Sequence, residues 1–223
     1  TITCPADVTL NLSEVATPII PSSASTSFTT AFGSSLTNTF NGNGLTTFPD
    51  LNSDHSSSGV TNSWIGEGTS GTITFNLGGS QTVSGFSFWN QNNGGPGASR
   101  TSGIQNVIIS SSTNGTDFTP IPGAPAVFAQ VTGDGPVAPE VFNFTPIIAS
   151  SIRIEVQSNY GDGNTAFAEI AFSDDTPGCG VLVAYVTPFS NAACNGGGEV
   201  TQTAGLPSGS AFPLGTTTNT FEV

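Results

Sequence analysis

The chain has 223 residues, 15 of them acidic and 2 basic, with no lysine and a formal net charge of -13. That balance excludes nucleic acid and anionic lipid surfaces as partners, because both carry the same sign of charge as the chain. Charged residues make up only 8% of the chain, against roughly 25% in an average soluble domain, and Ser, Thr, Asn and Gly take their place. No apolar run reaches the ~20 residues of a membrane span, so no membrane insertion is expected. No basic leader with a cleavage site stands at the start, which means that any signal peptide has been removed or lies upstream. The expected location is secreted and extracellular, or at a cell surface.

In chain order, "ADVTLNL" alternates apolar and polar residues just after Cys4. A Phe-rich stretch holding both Trp residues follows, from about Ile20 to Ser173. Its short β-rich runs, "GTITFNL", "TVSGFSFWN", "IQNVIISSS", "EVFNF", "SIRIEVQS" and "AFAEIAF", are closed by Gly, Pro, Asn or Asp. Asn114-Gly115 between "NVIISS" and "DFTPIP" predicts a hairpin, since both residues tolerate positive φ. Short strands at about ten-residue spacing predict an all-β sandwich or jelly roll, and no α/β pattern is present. Beyond Asp174 the texture changes to Thr-rich strands that hold Cys179 and Cys194, and the first residues resemble this tail more than the middle. A domain inserted into another domain produces such a pattern. The expected division is 1-19 and 174-223 for the outer domain and 20-173 for the inserted one.

Few residues point to catalysis. His55 lies in a Ser-rich loop with no Ser-His-Asp or Cys-His arrangement around it. A single His makes zinc a poor fit, no phosphate-cradling loop with its Lys is present, and the acids of "DGPVAPE" and "NYGDGN" read as turn residues. Arg153, in the middle of "SIRIEVQ", is expected in a core-edge ion pair. An odd number of cysteines suggests a partner missing from the chain, an intermolecular partner or a buried thiol, and all three readings of Cys4 stay open.

Two resemblances add to this. "ITCPADVTLNL", "CGVLVAYVTP" and "NAACNGGGEVTQTAGLPSGSAFPLGTTTNTFEV" resemble, in order, the pieces of a hyalin repeat, an immunoglobulin-like extracellular module. That resemblance implies a Cys179-Cys194 disulfide. It leaves Cys4 to a strand supplied from outside these residues, by a neighbouring module or subunit that completes an open sandwich edge. "TNSWIGEGTSGTITFNLGGSQTVSGFSFWNQ", "SGIQNVIISSSTNGTDFTPI", "SSIRIEVQSNYG" and "AFAEIAF" resemble the discoidin or coagulation-factor type C family, a galactose-binding-like jelly roll whose relatives include many bacterial carbohydrate-binding modules. In that resemblance "GPVAPEVFNFTPIIA" is the connector into the Arg-bearing strand.

The second resemblance implies one structural Ca²⁺, with oxygen ligands from Asp50, Asp54, Thr61 and Asn62, the Ala168 carbonyl and Glu169. It also implies a glycan or polysaccharide site on loops at one end, with Asn90, Asn92 and Arg100 from "WNQNNGGPGASRTSG" and Asn159, Tyr160 and Asp162 from "SNYGDGN". Trp89 is expected to turn its ring into the core. The function expected is non-enzymatic, a structural or adhesive module of a secreted bacterial surface protein or fibre. The alternative is an accessory carbohydrate-binding module of a larger secreted enzyme.

Overall fold

The computed structural model describes residues 2-3, 17-93, 98-133, 135-174, 181-190, 200-212 and 216-223. The chain separates into two compact units, Ala16–Thr176 on one hand and Thr1–Val15 with Pro177–Val223 on the other. Cys4, Cys179 and Cys194 lie outside the described residues, and with them the expected disulfide.

All regular structure of the described residues is β, apart from two 3₁₀ turns, Leu36–Thr39 and Arg100–Ser102. After β1 (Ile2–Thr3), the larger unit holds β2 (Thr17–Ile19), β3 (Ser23–Thr26), β4 (Thr29–Thr30), β5 (Trp64–Glu67), β6 (Gly71–Asn90), β7 (Val107–Ser112), β8 (Thr119–Pro120), β9 (Glu140–Val156) and β10 (Asn164–Asp174). The tail adds β11 (Val181–Val183), β12 (Phe189–Ser190), β13 (Thr201–Ala204), β14 (Ser210–Phe212) and β15 (Thr220–Glu222).

Two long strands make the larger unit a sandwich. The first half of β6 pairs antiparallel with the second half of β9, from Gly71 opposite Val156 to Asn76 opposite Ser151. Its second half pairs with the start of β9, from Gly85 opposite Asn143 to Phe88 opposite Glu140, after register shifts. Around the first pairing lie β3 and β7, with β8 beyond β7; around the second lie β10 and, beyond it, β5 and β4. The residues Glu140–Ala149 are therefore strand, as the β-rich run "EVFNF" predicts for their first half, and not the connector that the discoidin resemblance implies. Likewise β2, which the sequence places in the outer domain, pairs with the end of β10.

Alternation decides what lies between the layers. Ile73, Phe75 and Leu77 are buried while Thr72, Thr74 and Asn76 face outward, the period of two that a half-buried strand imposes. Phe75 of one layer meets Phe172 of the other at 5.7 Å, edge to face, and Phe88 stacks on Phe167 at 5.4 Å. Such pairs contribute about 0.5–1.5 kcal/mol each beyond the area they bury. Trp64 is fully buried and its indole N–H donates to Thr30 Oγ1 at 3.0 Å. Gly85 sits where β9 crosses, and any Cβ there would collide with the Phe142 carbonyl.

The predicted hairpin is present: Ser110 opposes Pro120 and Ser111 opposes Thr119. The Asn114 side-chain oxygen accepts the N–H groups of Thr116 and Asp117, and Gly115 takes φ 77. In the tail unit β1 pairs with β12, β11 with β14, and β13 with β15. Tyr185 packs edge-on against Phe212 and Phe221 and donates its hydroxyl to the Leu206 carbonyl at 2.7 Å.

Candidate functional site

The two loops expected to carry a ligand come together at one end of the sandwich. Gly103 bridges to Ala166 and Ile104 to Asn159, and the Tyr160 N–H donates to the Gly103 carbonyl. These backbone contacts stitch the loop after β6 to the loop before β10.

The six residues divide by where their polar atoms go. Asn90 is buried, donating to the carbonyls of Ile104 and Ala129 and accepting from the N–H groups of Gln91 and Ile104. Asn92 is buried as well, accepting from Ser58 N–H at 2.7 Å and donating to the carbonyls of Ser56 and Gly135. Asn159 closes its own turn through the carbonyls of Asp162 and Asn164 and the N–H of Gly161. All three amides are spent inside the protein, as buried polar groups must be, so they shape the loops and present nothing to a ligand.

Arg100, Tyr160 and Asp162 remain half-exposed. Asp162 accepts from Ser102 Oγ at 2.7 Å and Ser99 Oγ at 3.3 Å. Partial burial pushes its carboxyl up, but the hydrogen bonds of Ser102, the Asn164 and Gly163 backbone and Ser99 outweigh this and hold it below its ordinary value. Tyr160 donates to the Phe128 carbonyl at 2.6 Å, with burial and then the nearby Glu140 charge raising its pKa. Glu140 accepts from the Ala129 N–H at 2.8 Å, and burial pushes its carboxyl up.

Sequence reasoning missed Phe32. It is 51% exposed and holds φ 53, a left-handed conformation that an aromatic residue rarely adopts. Its neighbour Ala31 packs in one small cluster with Ile65, Ala98 and Ala166. The turn that displays Phe32 therefore adjoins the segment that carries Ser99 and Arg100. The only signal for it was "AFG", an aromatic next to Gly33.

The expected metal ligands do not assemble as a set. The Asp50 carboxylate accepts the Asn52 N–H, a local turn, and Asp54 is exposed. Asn62 spends its amide on Gly59 N–H, Ser56 Oγ and the Ser57 carbonyl, while Thr61 gives its carbonyl to Asn43. Among the described residues no three His, Cys, Asp or Glu side chains gather in a way that could hold an ion. Glu169 stands apart: it is 1% exposed, Oε1 accepts from Gly42 N–H at 3.1 Å, and Oε2 has no partner among the described residues. Burial pushes its carboxyl up to about 8. An orphaned, buried carboxylate oxygen is a place where a hard cation fits.

Ala168 packs beside it with Leu51, Trp89 and Ala171. Trp89 is thus buried in this outer cluster under the Leu45–His55 loop, where its indole N–H donates to the Ser53 carbonyl at 2.8 Å. His55 is also buried. Its ring nitrogens lie 2.7 Å from the Ser56 carbonyl and 3.1 Å from that of Asn43, and desolvation lowers its pKa.

These features define an all-β jelly-roll sandwich with a ring of loops at one end, the architecture of discoidin-like carbohydrate-binding modules. Residues 22–170 match the model of the F5/8 type C domain, and the chain belongs to that family. The structure resembles the family 32 carbohydrate-binding module of Clostridium perfringens NanJ, solved with galactose, with a TM-score of 0.50 and 18% identity over 72% of this chain and 100% of that one. It is also similar to a Clostridium perfringens module, CpGH89CBM32-5, solved with GalNAc-β-1,3-galactose, at TM-score 0.51 and 14% identity, covering 70% and 99% of the two chains. A third likeness is to the CBM32-1 and CBM32-2 domains of Clostridium perfringens ZmpB, at TM-score 0.51 and 12% identity, covering 70% of this chain and 35% of that one. No curated protein matched. No helix among the described residues is long and apolar enough to cross a membrane.

Proposed function

We propose that the jelly roll is a glycan-binding module whose ligand lies at the loop end, against Phe32, Arg100, Tyr160 and Asp162. One observation supports this reading: the backbone bridges Gly103–Ala166 and Ile104–Asn159 join the segment that carries Arg100 to the one that carries Tyr160 and Asp162. Beside them stands an exposed aromatic in a strained conformation. A pyranose ring offers an apolar face for Phe32 and hydroxyls that accept from Arg100 and donate to Asp162, the usual division of labour in sugar sites. Left-handed strain at a bulky residue costs about 1–3 kcal/mol and gathers at functional sites. The module would serve as the targeting part of a larger secreted carbohydrate-active protein.

Calorimetric titration with galactose and with GalNAc-β-1,3-galactose tests it. Saturable binding of either supports the reading, and no heat with either sugar or with a wider glycan panel defeats it.

A cation would sit at Glu169, with the Ala168 carbonyl and the Asn41–Asn43 turn supplying further oxygens. Its contribution there is to neutralise the buried carboxylate and fix the turn. The outer unit, with its hyalin-repeat resemblance, would act as a spacer outside the cell. An adhesive role for the whole protein rests on that unit and stands second.

A further inference from the structure

The chain's other basic residue is spent locally. Arg153 stands 3.6 Å over the Phe118 ring and its Nε donates to Thr74 Oγ1 at 3.2 Å, in place of the core-edge ion pair expected from sequence. A reactive pattern that the loop-end site leaves unused is Asn followed by Gly. With no Cβ beside it, a glycine amide nitrogen can approach and attack the side-chain carbonyl carbon of the preceding Asn. Among the described residues the pairs Asn41-Gly42, Asn43-Gly44 and Asn114-Gly115 carry this pattern.

Their surroundings differ. Asn114 donates its Nδ2 to Asp117 at 2.7 Å, and the Gly115 N–H donates to Ser112 Oγ at 2.9 Å. Asn43 donates its Nδ2 to the Thr61 carbonyl at 3.3 Å. In both, the nitrogen that would have to depart is held by an acceptor. Asn41 is exposed, and its Nδ2 has no acceptor among the described residues. Its Oδ1 accepts from the Asn43 N–H at 2.9 Å, which folds the side chain back over the Gly42 peptide unit. The Gly42 N–H donates to Glu169 Oε1 at 3.1 Å, so a carboxylate already draws on the proton that the attacking nitrogen must lose.

We propose that Asn41 is a site of self-modification, converted by its own backbone into a carboxylate on the turn that Glu169 holds. The Gly42 nitrogen bonds to Asn41 Cγ and gives its proton to hydroxide. The Cγ–Nδ2 bond breaks, ammonia leaves, and a five-membered succinimide remains. Water then opens the ring to aspartate or isoaspartate at position 41, with no oxidant or reductant involved. What this does to the protein rests on the reading of Glu169 as a cation ligand. Glu169 Oε2 is buried without a partner among the described residues, and a second carboxylate on the adjoining turn adds an anionic oxygen for a hard cation. The site is then weak in the newly made chain and strengthens with age.

Peptide mapping by mass spectrometry tests the modification, on the full chain when fresh and after weeks at pH 8. The mass gain of amide-to-acid conversion is expected at Asn41 ahead of Asn43 and Asn114, as a mixture of aspartate and isoaspartate. No conversion at Asn41, or conversion at Asn43 or Asn114 first, would overturn the proposal. Calorimetric titration with CaCl₂ tests the consequence. Asn41→Asp should bind Ca²⁺ at least about tenfold more tightly than the fresh wild-type chain, with thermal melts showing both folded. Equal affinity of the two would overturn the strengthening. No Ca²⁺ binding by either would overturn the reading of Glu169 instead, and leave the mass result to decide the modification. If Asn41→Asp does not fold, aged wild-type chain that binds Ca²⁺ no more tightly than fresh chain is the result that overturns the strengthening.

Discussion

The two basic residues of this chain stand in opposite kinds of surroundings. Arg100 rides on a 3₁₀ turn capped by Ser99 and Ser102, at a loop end where the buried amides of Asn90 and Asn159 fix the adjoining backbone. Arg153 rises from the middle of a strand and is fixed by a ring and one hydroxyl. The loop end is held by its buried amides, whereas the sheet around Thr72 and Asn76 is held by strand pairing, with their side chains turned away from the core. Polar residues at the loop end therefore carry stability or recognition, and rarely both.

The largest effect that would sharpen this contrast is at Asn90. Asn90→Ala leaves two carbonyls and two N–H groups unpartnered, and denaturant unfolding should show a loss of about 3 kcal/mol. Thr72→Ala, on the open face, should stay within about 0.5 kcal/mol by the same measurement. Equal losses would end the distinction.

Next in size is Glu169. Its folded pKa, about 8, lies above the ordinary value of 4.5, so the folded state holds the proton more tightly. In metal-free buffer, stability is then highest below pH 4.5 as far as this group is concerned. It falls as pH rises towards 8, by an amount on the order of a few kcal/mol. Thermal melts from pH 5 to pH 8 check the slope. Glu169→Gln should flatten it, and added Ca²⁺ should raise the wild-type melting temperature at pH 8 but not that of the variant. A wild-type melt that ignores Ca²⁺ would remove the cation from the account.

The smallest change in stability is expected at Phe32. Asn tolerates left-handed backbone, so Phe32→Asn should leave the melting temperature within a few degrees or raise it, while sugar affinity falls several-fold.

Much of the fold was legible because alternation speaks directly: Ile73, Phe75 and Leu77 against Thr72, Thr74 and Asn76 fix one strand and its buried face. The hairpin around Asn114-Gly115 was legible for local reasons, although only Gly115 takes the positive φ and Asn114 instead closes a wider loop with its side-chain oxygen. By contrast, "EVFNF" reads as a strand while the family resemblance makes the whole of "GPVAPEVFNFTPIIA" a connector, and only the pairing with β6 on both sides of Pro146 carries β9 through it. Of the candidate site, the two loops could be named in advance only through the family resemblance, since Gly and Asn alone mark turns. Which amides turn inward could not, because an Asn that closes a turn and one that grips a ligand look alike in sequence. Phe32 escaped notice since its significance lies in a backbone angle. Asp50, Asp54 and Glu169 are all named by the resemblance, but that Glu169 alone is buried with an orphaned oxygen is a matter of packing that no local pattern announces.

The measurement that bears most directly on the central claim is the affinity of wild-type and Arg100→Ala chains for galactose-type sugars, read by calorimetry beside a thermal melt of each. Loss of binding by at least about tenfold, with the melting temperature within a few degrees of wild type, is the result expected of a ligand-facing guanidinium at the loop end. Wild-type affinity in a folded Arg100→Ala chain would contradict the account and move sugar recognition away from these loops.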